Sequence, residues 1–172
     1  MISGKYINLR LVQPADAAFI VELRTDEKLK KFLSPVSSDV EAQRIWIESY
    51  KEKEASALEY YFIIELKDST PVGAVRVYDL KEDSFSWGSW IIKPGQTPHI
   101  AIESAVRIYD FAFESLKYRK ARFEVVKENI SVTKFHINFG AFQINEDSEY
   151  FYYENTYENV QKAKEKYRKF WE

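Results

Sequence analysis

Two ionisable side chains stand where acid–base chemistry would need them. Glu124 interrupts the apolar run Phe123-Glu124-Val125-Val126, and strand alternation sends it to the face opposite Phe123 and Val125. A carboxylate beside a low-dielectric cleft is pushed toward a pKa that suits a general base. The same pattern fits an exposed strand carboxylate paired with Arg122 or Lys127. His136, one of two histidines, lies in a short helical pattern at 131–138. An imidazole titrating near neutrality serves as a proton donor, and an amphipathic helix residue with its ring half in solvent has the same signature. A third stretch, residues 90–104, passes from strand to loop to helix. A helix N-terminus offers unpaired N–H groups and a positive dipole end that attract phosphate, although a plain strand-to-helix connection has the same form. Trp87-Gly88-Ser89-Trp90 sets a glycine inside a strand, which marks a bulge or a packing position, with the Ser89 hydroxyl beside it. Asn129 precedes the 131–138 helix where a cap is favoured.

Composition removes other chemistries. The chain has no cysteine, so disulfides, thiolate metal sites and cysteine nucleophiles are excluded, and two histidines leave little for a metal centre; no metal is expected. With 25 Lys+Arg against 27 Asp+Glu the formal charge is −2, which gives no basic footprint for nucleic acid. No apolar run approaches the roughly 20 residues that span a bilayer, and the first residues lack a leader pattern. The expectation is a cytoplasmic domain with neither membrane nor nucleic-acid partner. Twelve Tyr, twelve Phe and four Trp suit a β-rich core and a pocket with aromatic walls.

The elements that must position these residues follow from periodicity. Residues 6–12 read as a strand, Pro14 as the first position of a helix, and Phe19, Ile20, Leu23, Leu29 and Phe32 as its continuation. Ser38-Asp39-Val40-Glu41 is a capping-box sequence opening a second helix with the stripe Ala42, Ile45, Trp46, Tyr50. Residues 60–66, 72–80 and 84–92 form an antiparallel meander, and Ile102 to Leu116 carry a clean helical stripe. Residues 121–126 are a strand, 142–157 a pair of aromatic strands, and 158–172 an amphipathic helix. The fold class is α+β (mixed α/β), one central, mostly antiparallel twisted sheet flanked by helices. Residues 1–157 make the domain and 158–172 its helical extension.

In this order and in two local matches the chain resembles the GNAT acetyltransferase superfamily. Residues 96–101, Gln-Thr-Pro-His-Ile-Ala, are similar to that family's Gln/Arg-x-x-Gly-x-Gly/Ala loop, with His99 in place of the middle glycine and Pro98 lacking an amide. Asn129 and Gly140 stand at the spacing of its strand–Asn–helix–Gly signature. The resemblance implies acetyl-CoA as co-substrate, held by Ile91, Ile92, Gln96, His99, Ile100, Ala101 and Asn129. It implies a base at Glu124, as in the ribosomal-protein N-terminal acetyltransferase branch. It implies His136 as the acid for the departing thiolate, where the family usually has tyrosine. It places the oxyanion donors on the strand around Gly88 and Ser89.

The segment between the first two helices carries Arg24, Lys28, Lys30 and Lys31, and basic residues at a cleft mouth suit a nucleotide diphosphate. Leu-Arg-Thr-Asp-Glu and Phe-His-x-x-Phe-Gly-Ala look similar to acetyltransferases of nucleotide-linked amino sugars. The expected acceptor is therefore a small-molecule amine, a nucleotide-linked amino sugar being favoured, with contacts from Arg24, Tyr78, Trp87 and Ser89. Two other readings stay open: acetylation of a protein or peptide N-terminus, and a non-catalytic acyl-CoA-binding or structural module. A homodimer is left open.

Overall fold

The computed structural model describes all 172 residues. Eight strands form one sheet in the order β1-β2-β3-β4-β5-β6-β8-β7. They are β1 (Ile2–Ser3), β2 (Ile7–Leu11), β3 (Tyr60–Leu66), β4 (Pro71–Tyr78), β5 (Ser84–Ile92), β6 (Lys120–Val126), β7 (Phe142–Glu146) and β8 (Tyr150–Thr156). All neighbours are antiparallel except β5 and β6, which run parallel. Five α-helices flank the sheet: α1 (Ala17–Thr25), α2 (Val40–Ala55), α3 (Pro98–Asp110), α4 (Ile130–Asn138) and α5 (Tyr157–Lys166). None is long and apolar enough to cross a membrane.

Strand alternation divides the core into two layers. Phe62, Ile64, Val75, Val77, Trp87, Phe123 and Val125 face α3, α4 and α5, whereas Tyr61, Ile63, Ala74 and Ile91 face α1 and α2. Val160 and Ala163 of α5 belong to the first layer. Arg76 and Tyr78 alternate with Val75 and Val77, and so lie on the α1/α2 face, as does Glu124 between Phe123 and Val125.

Three expectations need correction. The first helix does not continue to Phe32. It ends at Thr25, because Asp26 turns to extended backbone and its carboxylate accepts from the N–H groups of Lys28 and Leu29, starting a separate turn. The cap of α2 is Asp39 rather than Ser38: Asp39 Oδ1 accepts from Glu41 N at 2.9 Å and from Ala42 N at 3.1 Å. The buried stripe of α2 runs through Ile47 and Tyr50, and Ile45 and Trp46 are exposed.

What opens the molecule is the parallel pair. β5 and β6 are in register only at Ser84↔Lys120 and Phe85↔Ala121. Beyond Phe85 the pairing stops, while β5 continues on β4 and β6 on β8. The sheet splits into a wedge between Trp87–Trp90 on one side and Phe123–Val126 on the other.

Candidate functional site

A cavity of about 510 Å³ fills that wedge. Trp87 to Trp90, Phe123 to Val126, Asn129, Val132 and His136 wall it, and Lys31, Ser34 and Pro35 from the α1–α2 connection close one side. Six residues expected in the site, Tyr78, Trp87, Ser89, Glu124, Asn129 and His136, are brought together here.

The β5 wall is irregular. Ala74 pairs with Ile91 but Arg76 with Gly88, so that Val75 faces both Ser89 and Trp90, a β-bulge. The left-handed residue is Ser89, at φ 46°, and not the glycine that sequence marked as the bulge. Gly88 has a different use. A Cβ there would sit 2.9 Å from the Tyr78 hydroxyl, so glycine leaves the space the tyrosine occupies.

Glu124 is exposed and stands opposite Tyr152 in the β6–β8 ladder. Neither cation in reach along its own strand pairs with it: Arg122 bonds Ser84 Oγ at 2.8 Å and Asp79 at 3.3 Å, and Lys127 pairs with Glu146 at 2.8 Å. The carboxylate remains free to accept a proton. Burial first, and then the charge of Glu124, push the Tyr78 phenol up to about 12, so Tyr78 keeps its proton and acts as a donor.

His136 is only 5% exposed and is boxed by aromatic rings, its centroid 4.2 Å from Phe123, 5.2 Å from Trp87 and 5.8 Å from Phe135. Burial lowers its pKa to about 3, and its Nδ1 has no hydrogen-bond partner. The expected titration near neutrality is not what this environment produces: the ring is neutral at neutral pH and presents N–H and lone pair rather than a positive charge. Trp87, expected at the acceptor, lines the cavity as well. Its ring is buried in the α3/α4 layer, 5.4 Å from Tyr109, because strand alternation places it opposite Gly88 and Glu124.

The turn into α3 lies outside this cavity. Pro98 is the first helical residue, and the Ile100 N–H is committed to the Thr97 carbonyl at 3.1 Å. The N–H groups of Gln96, Thr97 and His99 have no backbone acceptor. The His99 ring does not block them. It packs between Tyr6 at 4.8 Å and Phe170 at 5.1 Å, which leaves its backbone for a ligand. Ile91 and Ile100 are buried in the two core layers, so a contact from either must come through its main chain. Asn129 caps α4, its Oδ1 accepting from Val132 N at 3.4 Å, and also lines the cavity.

A second cavity of about 350 Å³ adjoins the first, and both are lined by Ser34 and Pro35. Arg24 lines this second space rather than the first, together with Tyr61, Trp46 and Arg76. Sequence reading missed Arg76. The available signal was a charged residue interrupting the apolar strand Val75-Arg76-Val77, the same signal that singled out Glu124.

Comparison with known proteins places this geometry. A family model described as an acetyltransferase (GNAT) domain matches residues 7–142. A solved structure described as apo FdhC, a nucleotide-linked sugar GNAT, is 40% identical, covers 98% of this chain and 97% of its own, and superposes with a TM-score of 0.89. Ribosomal-protein-S5-alanine acetyltransferase from Vibrio fischeri is 14% identical, with coverage of 90% and 95% and a TM-score of 0.78. Spermidine N-acetyltransferase from Vibrio cholerae, in complex with CoA and spermine, is 19% identical, with coverage of 91% and 98% and a TM-score of 0.75. Among curated proteins there is no match.

Proposed function

Because the chain belongs to the GNAT acetyltransferase family and is an acyltransferase, we propose that it transfers acetyl from acetyl-CoA to the primary amine of a nucleotide-linked amino sugar. The observation that carries this reading is the cavity in the β5–β6 wedge, whose walls bring together the Ser89 bulge, Glu124 and the buried His136, a residue whose Nδ1 has no partner. An orphaned polar atom in a cavity wall is what a polar ligand satisfies, so these residues fit the co-substrate. The unpaired N–H groups of Gln96, Thr97 and His99 would hold its pyrophosphate, and Asn129 its pantetheine arm. Acetyl-CoA supplies the acetyl group as a thioester when bound.

The chain's own residues then divide the work. Glu124 takes the proton that the acceptor ammonium must lose before it can attack, directly or through water. The bulge at Ser89 and Trp90 turns main-chain N–H toward the oxygen on which charge develops. His136, neutral, offers an N–H to the departing sulfur rather than a full positive charge. Tyr78 presents its protonated hydroxyl on the acceptor face. The preference for a nucleotide-linked sugar is supported by the 40% identical relative of that description and by the basic residues Arg24 and Lys31 at the cavity walls. A thiol-release assay against nucleotide-linked amino sugars, N-terminal peptides and polyamines tests it. Turnover confined to the sugars is expected, and turnover confined to peptides or polyamines overturns it.

A further inference from the structure

The second cavity carries charge that the protein leaves without an answer. Arg24 has no carboxylate partner. Its Nη2 donates to the Ser34 carbonyl at 2.7 Å, and its Nε is buried with no partner at all. Beside it the Tyr61 hydroxyl is buried, in a residue only 1% exposed, and is also unpartnered. Burial raises the Tyr61 pKa, so that hydroxyl stays a donor. Arg76, on the same wall, is held by Glu59 at 2.5 Å and lies 5.2–5.7 Å from the rings of Tyr50, Tyr78, Trp46 and Tyr61. No carboxylate lines the cavity. A buried donor and a buried cation edge without partners are each costly, and an anion satisfies both.

The wall continues into an exposed aromatic ring beside Arg76 and Tyr61. Trp46 stacks one face on Tyr50, with centroids 4.9 Å apart and an interplanar angle of 26°, yet the residue is 42% exposed. Gln43, one turn earlier on α2, lines the same space. An indole stacked on Tyr50 and still partly exposed is a platform for a planar ring, and an amide at its edge can bond that ring's polar rim. Anion donors beside an aromatic platform make a composite site, and guanidinium is the side chain best shaped for phosphate.

We propose that this cavity binds the nucleoside diphosphate part of the acceptor, with phosphate oxygens on Arg24 and Tyr61 and the base against the exposed part of the Trp46 ring. Ser34 and Pro35, shared by the two cavities, mark the crossing. From there the sugar extends toward Ser89 and Glu124, where its amine meets the acetyl donor. The inference rests on the acceptor reading above and adds where each part of that acceptor sits. It also makes Arg24, Tyr61 and Trp46 specificity residues rather than catalytic ones, since none touches the reacting atoms.

Calorimetric titration separates the two ideas. UDP, dTDP and inorganic pyrophosphate are titrated into the full chain and into Arg24→Gln, Tyr61→Phe, Trp46→Leu and Lys31→Gln, with acetyl-CoA titrated into each as a control for folding. The expected result is binding of a nucleoside diphosphate that weakens about tenfold or more in Arg24→Gln and by a smaller factor in Tyr61→Phe. Trp46→Leu should weaken the nucleoside diphosphate but leave pyrophosphate unchanged. Nucleoside diphosphate binding lost in Lys31→Gln and unchanged in the other three overturns the placement, and leaves the acceptor reading intact. Failure of both UDP and dTDP to bind at millimolar concentration also overturns the placement. The acceptor reading itself falls only if the thiol-release panel shows no transfer to any nucleotide-linked amino sugar.

Discussion

The hydroxyl of Tyr78 occupies the volume that a side chain at Gly88 would need, 2.9 Å from where a Cβ would stand. The two residues are on adjacent strands, next to the Ser89 bulge, so the glycine lets the acceptor face of β4 close over β5. In Gly88→Ala the tyrosine ring must move, and because the obstructing atom is the end of a side chain the fold tolerates it. Thermal unfolding should change by about 1 kcal/mol or less, while kcat/KM for the acceptor falls by about tenfold. Removing the hydroxyl in Gly88→Ala/Tyr78→Phe relieves the clash, and a partial return of kcat/KM is expected. A stability loss with unchanged kinetics would show that Gly88 serves packing alone.

His136 makes stability depend on pH. Its folded pKa, about 3, lies below the ordinary imidazole value of 6.5, so between those values the unfolded chain binds a proton that the folded chain refuses. The stabilising neutral form is fully favoured above 6.5, and stability falls as pH drops from there toward 3, by up to about 1.4 kcal/mol per pH unit. Urea titrations from pH 7 to pH 4 should show this slope in the wild-type chain and a shallower one in His136→Phe. Equal slopes would mean that the ring reaches solvent or a counter-charge.

Much of this architecture was legible because it rests on local pattern. Alternation around Phe123-Glu124-Val125 gave the face of Glu124, and the meander at 60–92 followed from short polar turns. What was not legible depends on convergence. The neutral His136 requires Trp87, Phe123 and Phe135 to meet around it, and these come from two strands and a helix. The glycine marked either a bulge or a packing position, and the structure has both at neighbouring residues: Ser89 takes the left-handed backbone of the bulge and Gly88 clears a neighbour. The second cavity draws Arg24, Trp46, Tyr61 and Arg76 from α1, α2, β3 and β4, and no spacing in the chain announces that meeting.

Glu103 ties the start of the chain to the helix that opens with the unpaired N–H groups. Its carboxylate is fully buried and accepts from the backbone N–H of Lys5, of Tyr6 at 2.7 Å and of Ile7 at 3.2 Å, with Arg107 at 3.1 Å. Glu103→Ala leaves three donors and a cation without that acceptor, which should cost about 3 kcal/mol. The Tyr6 ring would then lose its anchor beside His99. Chemical denaturation measures the first effect. Acetyl-CoA titration measures the second, and weaker binding at a temperature where the variant is folded is expected.

Glu124 is the residue we propose for proton removal, and its substitution separates that role from mere position on an exposed strand. Glu124→Gln keeps the size and the hydrogen-bonding edge but cannot take a proton, so kcat should fall by about a hundredfold while acetyl-CoA affinity is unchanged. The pH dependence discriminates further. Without a base on the enzyme, turnover can use only acceptor that arrives already neutral, so the variant's rate should keep climbing through the amine's own titration. The wild-type rate should depend less steeply on the amine's own titration. The unpaired state of Glu124, with Arg122 held by Asp79 and Ser84 and Lys127 by Glu146, means that the substitution breaks no ion pair, so the variant's stability should match the wild type. A wild-type rate in Glu124→Gln would remove this carboxylate from the reaction and pass the proton to water in the cavity.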